Sequence, residues 1–416
     1  MLIGLDDTDS PEGMCTTYLG AVLAKRLTGE GMVVRECRLI RLNPNVRFKT
    51  RGNAAICLDV RGDPDRAFRL ACGTVEELAH LEAPETNPGV VVSEVKPRPG
   101  FYLDAVRNFC TVGEAIHVLE EAGAKYRGYK NKRGLIGATA AICSDLPDHT
   151  YEILAYRRPE LFGTPRLVNR ESLFLAEKTT WPHTWDTVDR EEDVVVCVPH
   201  TPDPVLFGIR GERPGWVSYA RECILSERPG IEMIYITNQG TDAHLQPGRI
   251  GEFLEGRSYL ACGTVQGRAE TRRGGHVALL IGDGGNQVRC MAYEPTKGFR
   301  KIILQLREGD RVAVAGSYRE GSINLEKIGI LEVVPARFSR PPICPACHRR
   351  MTSAGRDKGF KCRRCGGRAR DPEEGENPRG IAPGWYEVPP SARRHLAKPL
   401  CRGEPDIRGL AVQDGP

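Results

Sequence analysis

The sequence predicts a multidomain protein that combines α/β and α+β units with a small β-barrel and a zinc ribbon, and three observations predict it. Over residues 1–125, apolar strand patterns alternate with amphipathic helical ones, as in an α/β unit. From Ser258 to Val334, short alternating strands with glycine turns surround one helical segment, the strand order of an OB-fold. Cys344 and Cys347 are followed, after fourteen residues, by Cys362 and Cys365, and paired CxxC turns can wrap one zinc ion. At 416 residues the chain also exceeds what a single small core accounts for.

The first region opens on an apolar strand, Met1–Leu5, that runs into Asp6, Asp7 and Asp9. Three carboxylates in four positions repel one another, and burying one unpaired is costly. Their natural partner is a hard cation such as Mg²⁺, which takes one or two carboxylates plus phosphate oxygens. Thr16 or Thr17 then stands where a helix cap belongs, so the N–H groups of that helix would face an anion. Strands over Val33–Leu42 and Ala54–Val60 flank Arg47-Phe48-Lys49-Thr50-Arg51-Gly52-Asn53. If extended, that segment puts Lys49, Arg51 and Asn53 on one side, with Gly52 allowing close backbone approach to a triphosphate. An acidic surface turn and a solvated basic hairpin are the bland alternatives to this pairing. Helices fit Asp65–Leu81 and Leu103–Ala122, and a strand fits Val90–Val92.

Gly128–Gly137 reads as a basic, glycine-rich linker into a second region. Strands fit Ala138–Cys143, Thr150–Tyr156, Asp193–Val198, Val205–Gly208 and Met233–Thr237, with a helix over Gly215–Glu227, a ferredoxin-like α+β pattern. Asp203, held between Pro202 and Pro204, is a rigidly presented carboxylate suited to a small cation, although Pro-Asp-Pro is also an ordinary turn. His200 and His244 read as turn or capping histidines, and Trp181–Trp185 as a packed surface loop.

Four thiolates from Cys344, Cys347, Cys362 and Cys365 fill a tetrahedral site and leave no open position, so zinc there is structural. The other eleven cysteines are scattered singly, as reduced core residues are. Within residues 341–370, nine Lys and Arg face one acid, Asp357, although the whole chain is only +5. That density beside an OB-fold suits a nucleic-acid backbone. Asp371–Arg379 reads as an acidic linker, and Gly384–Leu396 as a docking arm. No run of eighteen apolar residues and no signal peptide is present, which points to a cytoplasmic protein without membrane partners. No Walker P-loop, kinase catalytic loop or Rossmann fingerprint occurs, and no KxDG-like lysine that a nucleic-acid ligase would use. The residues alone describe a metal–triphosphate site joined to a nucleic-acid clamp. A plain RNA-binding module or an RNA kinase would fit the same parts.

The stretches GLDDTDSPEGMCTTYLG, RLNPNVRFKTRGNAA, PHTPDPVLFGIRGE, INLEKI, the double CxxC ribbon and YEVPPSARRHLAKPL resemble, in order and over nearly the whole chain, the archaeal tRNA(Ile) 2-agmatinylcytidine synthetase family, TiaS. The resemblance implies a kinase-like catalytic domain at 1–125, a ferredoxin-like domain at 126–250, an OB-fold at 256–336, a zinc ribbon at 341–370 and a linker and tail at 371–416. It also implies a reaction: ATP activates the 2-oxo group of the wobble cytidine in a CAU-anticodon tRNA(Ile), and the amine of agmatine displaces it. The cofactors implied are ATP, Mg²⁺ and structural Zn²⁺, and the partners are that tRNA and agmatine. Carried onto this chain, Asp6, Asp7 and Asp9 would serve metal and triphosphate, and Thr16 would be phosphorylated. Lys49, Arg51, Gly52 and Asn53 would meet phosphate. Asp203 is the candidate for the agmatine guanidinium, because a carboxylate accepts its forked hydrogen bonds.

Overall fold

The structure, a computed structural model, describes residues 1–49 and 52–410. Arg51 therefore lies outside the described residues. The first two regions share one nine-stranded sheet. Its first half runs Lys125–Gly128, Gly89–Ser93, Leu2–Asp6, Ala54–Arg61, Val33–Arg41, every neighbour antiparallel. Its second half runs Ile231–Thr237, Thr150–Tyr156, Val205–Gly211, Thr184–Trp185, also antiparallel. The halves meet in a short parallel pairing, Ile236 with Arg38 and Thr237 with Leu39.

Both faces of the first half are covered, which explains its continuous apolar strands: Ile56, Cys57 and Leu58 are all buried. Helices Thr16–Gly29 and Pro64–Leu78 pack on one face around Leu19, Leu23 and Val75. Helices Gly100–Arg107, Val112–Glu121 and Gly134–Cys143 cover the other. The last of these replaces both the expected linker end and the expected strand over Ala138–Cys143. It is buried on nearly every side, so no polar face marks it as a helix in the sequence. Its backbone touches the sheet directly. A Cβ on Gly4 would lie 2.3 Å from the Ala138 carbonyl oxygen, and one on Gly89 would lie 2.2 Å from the Gly134 carbonyl carbon. The single helix expected over Leu103–Ala122 is two, interrupted at Asn108–Thr111. The second opens on a capping box in which Thr111 and Glu114 satisfy each other's backbone N–H.

In the second region, helices Arg170–Thr180 and Pro214–Glu222 pack on the sheet around Leu173, Phe207 and Val217. The first of them has no counterpart in the sequence reading. The expected strand Asp193–Val198 shrinks to Val194–Val195, paired with Val188–Asp189. Residues 258–332 form a closed five-stranded barrel: Ser258–Val265, Arg311–Arg319, Ser322–Glu332, Asn286–Ala292 and Val277–Asp283, which returns to the first strand through Thr264–Gly282 and Val265–Ile281. Phe299 and Ile303 of helix Gly298–Ile303 plug it.

Beyond the barrel, Ala336–Arg340 and Glu373–Asn377 pair as a two-stranded stalk. The acidic segment expected as a linker is thus a strand, its charges facing arginines: Arg350 lies 3.0 Å from Glu373. The stalk carries three short strands, Thr352–Ser353, Phe360–Lys361 and Arg368–Ala369. The chain then returns to the body, adding Gly384–Glu387 to the barrel strand Ser322–Glu332.

Candidate active site and metal centre

The opening strand delivers its acids to the sheet edge, where Asp7 turns the chain with φ 57. Burial, then the charge of Asp7, raises the Asp6 carboxyl well above the ordinary carboxylate range. The Asp6 side chain lies on the helix Gly134–Cys143 so closely that a Cβ on Gly137 would sit 1.9 Å from its Oδ2. Asp7 accepts two hydrogen bonds from Arg133, at 2.9 and 3.1 Å. Burial outweighs that cation and pushes the Asp7 carboxyl up to about 6. Arg133 was visible in the sequence only as one of several cations in a basic run.

Thr16 is the first residue of its helix rather than the cap. Cys15 caps it, its Sγ accepting from the Tyr18 N–H at 3.4 Å. The Thr16 N–H and hydroxyl both donate to Asp9 Oδ1, at 2.6 and 3.1 Å. The same hydroxyl oxygen accepts from the Thr8 N–H and hydroxyl, at 3.2 and 3.1 Å. The Thr16 proton is therefore directed at a carboxylate, the arrangement that lets an alcohol act as a nucleophile.

Two cavities meet at this pair. One, of about 320 Å³, holds all three acids, Thr16, Arg133, Lys49 and Asn53, and its apolar wall includes Phe48 and Phe109. The other, of about 270 Å³, shares Asp9, Thr16 and Ala54 and continues to Asp203, Glu152 and His395. Of the expected basic row, Lys49 and Asn53 both line the first cavity, and Arg51 lies outside the described residues. Asn53 turns with φ 47 and donates to the Asn43 carbonyl at 3.0 Å. Lys49 is exposed and donates to the Pro44 carbonyl. Gly52 faces the second cavity, where a Cβ would come within 2.4 Å of Arg41 Nη1. Burial lowers the Arg41 guanidinium to about 10.

Asp203 is both a turn residue and a cavity wall. Its Oδ1 accepts from the Val205 N–H at 3.0 Å with Arg166 Nη2 3.6 Å away, and the Thr201 hydroxyl donates to its Oδ2. Glu152, buried, accepts from Gln239 Nε2 at 2.6 Å and from Arg210 Nε at 3.4 Å. Arg210 and His395 lie in stretches that carry the family resemblance but received no role from the sequence, and Glu152, in a strand interior, carried no signal at all. His244 is buried against Glu326 at 2.9 Å and is structural, as expected; His200 is exposed.

The four ribbon cysteines converge, with their sulfurs within 4.8 Å of one another and Cys344 Sγ 3.6 Å from Cys365 Sγ. Each CxxC turn closes on a left-handed residue directly after its second cysteine, His348 (φ 53) and Gly366 (φ 76). The backbone N–H groups of Cys365 and Arg364 point at the Cys362 sulfur and lower it to about 6. The sulfurs of Cys365 and Cys362 push the Cys347 thiol the other way, up to about 12, and four sulfurs gathered this closely are the donor set zinc takes. No helix among the described residues is long and apolar enough to cross a membrane.

The TiaS TCKD domain family matches residues 2–68 and 59–131, the TiaS FLD domain family residues 132–244, and the TiaS C-terminal zinc ribbon domain family residues 341–381. The 2-agmatinylcytidine synthetase TiaS of Methanocorpusculum labreanum, an enzyme named for an isoleucine tRNA, is 51% identical over 408 residues, covering 98% of each chain. That of Archaeoglobus fulgidus is 44% identical over 96% of this chain and 97% of its own. The crystal structure of apo TiaS superposes with a TM-score of 0.92 at 42% identity, covering 99% of both chains. A complex of TiaS with its isoleucine tRNA and ATP gives 0.88 at 41% identity, covering 98% of this chain and 99% of its own. A complex of TiaS with the same tRNA, AMPCPP and agmatine gives 0.86 at 39% identity, covering 98% of both.

Proposed function

The chain belongs to the TiaS family, and from that premise we propose that it is a tRNA(Ile) 2-agmatinylcytidine synthetase. It uses ATP to attach agmatine to C2 of the wobble cytidine, so that the CAU anticodon reads AUA. Relatives solved with the isoleucine tRNA, ATP or its analogue, and agmatine support this reading. The observation that carries it is the meeting of two cavities at Asp9 and Thr16. A reaction joining a nucleotide-activated base to an amine needs two compartments with one shared wall.

In this reading the first cavity holds ATP. Its Lys49 and Asn53, with Arg51 of the same segment, receive the phosphates, while Gly52 leaves room for a phosphate on the side of the second cavity. Asp6, Asp7 and Asp9 would hold Mg²⁺: all three line this cavity, and burial raises the Asp6 and Asp7 carboxyls, a cost that a divalent cation would offset. When bound, that ion supplies charge neutralisation to the transferring phosphate. Thr16 is the residue that becomes phosphorylated, its proton passing to Asp9. The second cavity takes agmatine, with Asp203 receiving the guanidinium. The cytidine leaves the anticodon stack to reach this centre. Residues 1–125 act as the kinase-like unit and 126–250 as the ferredoxin-like unit. The barrel at 256–336 and the zinc-bearing ribbon at 341–370 grip the tRNA, with 371–416 as linker and tail, and the enzyme works in the cytoplasm.

Nucleoside mass spectrometry after incubation with the CAU-anticodon tRNA(Ile), ATP, Mg²⁺ and agmatine tests the proposal. An agmatine-dependent adduct on cytidine is expected, absent when the elongator methionine tRNA with the same anticodon is substituted. ATP consumption without an adduct would replace the synthetase with an RNA kinase.

A further inference from the structure

The C-terminal segment does more than dock. After the barrel-edge strand Gly384–Glu387 it crosses to the nine-stranded sheet and becomes a wall of the second cavity. Its backbone is fixed on both sides of the crossing: the Gly240 N–H donates to the His395 carbonyl and the Asp242 N–H to the Leu396 carbonyl, each at 2.8 Å. The Lys398 N–H donates to Asp242 Oδ1 at 2.7 Å, and Arg394 Nη1 reaches Asn45 at 3.2 Å. His395 is thereby held rigidly at the cavity.

The state of the His395 ring follows from its neighbour. Its Nδ1 lies 2.7 Å from Arg210 Nη2. A guanidinium has donors and no acceptor, so Nδ1 must be the acceptor and the ring proton must sit on Nε2. Burial and the charges of Arg41, Arg210 and Lys49 hold the ring well below an ordinary histidine, so it stays neutral. A base is thus excluded at this position: the free edge of the ring is an N–H. That edge faces Gly52, whose Cβ, if it had one, would be 3.5 Å from Nε2 and 2.4 Å from Arg41 Nη1. Two donors converge on a backbone kept bare by glycine, in the same cavity as Asp9 and Thr16.

We propose that His395 donates a hydrogen bond from Nε2–H, beside Arg41, to the phosphate leaving C2 of the activated cytidine when the amine attacks. The proposal rests on the agmatinylation reading above. The amine nitrogen bonds to C2 as the C2–O bond breaks. The electron pair leaves on the phosphate oxygen, and the departing phosphate takes the amine proton, leaving as hydrogen phosphate. A neutral donor fixed in place strengthens as charge grows on that oxygen and needs no reorganisation. Flanked by two arginines, it also adds no further cation to a crowded wall.

Two amide substitutions in the full chain separate the roles of the two ring nitrogens. His395→Asn keeps an acceptor near Nδ1 for Arg210 and removes the donor; His395→Gln keeps a donor near Nε2. With the CAU-anticodon tRNA(Ile), ATP and agmatine, the Asn variant should lose about 100-fold in kcat for adduct formation. Its KM for agmatine should stay within about threefold and its tRNA affinity by filter binding should not change, while the Gln variant should stay within about tenfold of wild type in kcat. An Asn variant within threefold of wild type in kcat, or two variants equally slow, would overturn the proposal alone. A wild-type protein that forms no adduct would overturn the agmatinylation reading as well.

Discussion

The metal centre draws its four sulfurs from residues 344–365, whereas the second cavity draws Asp9, Glu152, Asp203, Arg210 and His395 from segments spread over almost the whole chain. The first is a local device. Two turns fix the ligands, and the apolar support is small: Cys344, Met351 and Cys362 are its buried members. A metal held by the four sulfurs would supply most of its stability, as in other small metal-bound folds. The second exists only once both halves of the sheet and the tail are assembled. A local site fails alone when damaged; a distributed one registers damage anywhere along its supports.

Substitutions can break this contrast or sharpen it. The largest effect is expected from Asp7→Asn, which removes a carboxylate from the first cavity and half the Arg133 pair. Adduct formation should fall by at least about 10³-fold, as for loss of a group that stabilises transferring charge, with tRNA affinity by filter binding retained. Gly137→Ala should follow, at about 100-fold in ATP-dependent modification. Alanine ordinarily favours a helix interior by about 1 kcal/mol, yet here its Cβ would lie 1.9 Å from Asp6 Oδ2. An active Gly137→Ala enzyme would show that the position of Asp6 is not critical.

Cys347→Ser tests the local site. Zinc content by elemental analysis should drop and tRNA affinity fall by roughly 10- to 100-fold, in keeping with loss of several phosphate contacts. The melting of the sheet and barrel should not move. A global loss of stability would show that the ribbon is not autonomous after all. Asp203→Asn should raise the KM for agmatine by about tenfold, the loss of one charge-assisted pair, with ATP use by the free enzyme little changed.

An effect on stability alone, with no change in activity, concerns pH. Glu177 is buried and accepts from the Thr187 N–H at 3.0 Å, yet burial raises its carboxyl to about 7. Because the folded value lies above the unfolded one, the protein is stabilised below the unfolded value of 4.5 relative to higher pH. That contribution is lost as pH rises towards 7. Glu177→Gln should remove a slope worth up to about 3 kcal/mol, seen as a higher melting midpoint than wild type at pH 8 and an equal one at pH 4.5. Equal midpoints at both pH values would mean that Glu177 ionises normally.

The local devices were the legible ones. The acids, the Thr16 helix start, the paired CxxC turns and the barrel order each follow from residues close in sequence. What the sequence hid depends on packing between distant segments. Gly134–Cys143 lacks a polar face because it is enclosed, so its glycines read as a linker. Arg133, just before it, reads as one more basic residue until the fold sets it on Asp7. The parallel contact of Ile236 and Thr237 with Arg38 and Leu39 joins strands nearly two hundred residues apart, and no pattern in either strand names its partner. Of the expected row of Lys49, Arg51 and Asn53, the two described members do line one cavity, but the left-handed turn at Asn53 and the placing of Gly52 on the second cavity are set by packing and not by the pattern.

The crossing of the C-terminal segment into the second cavity bears on how the protein is made. Residues 384–402 leave the ribosome after the sheet, barrel and ribbon to which they bind or connect, so a nascent chain can finish those units with the cavity wall still missing. Translation that stops short of His395 would release a folded body lacking that wall. The cavity is therefore completed only after the units that flank it have been made.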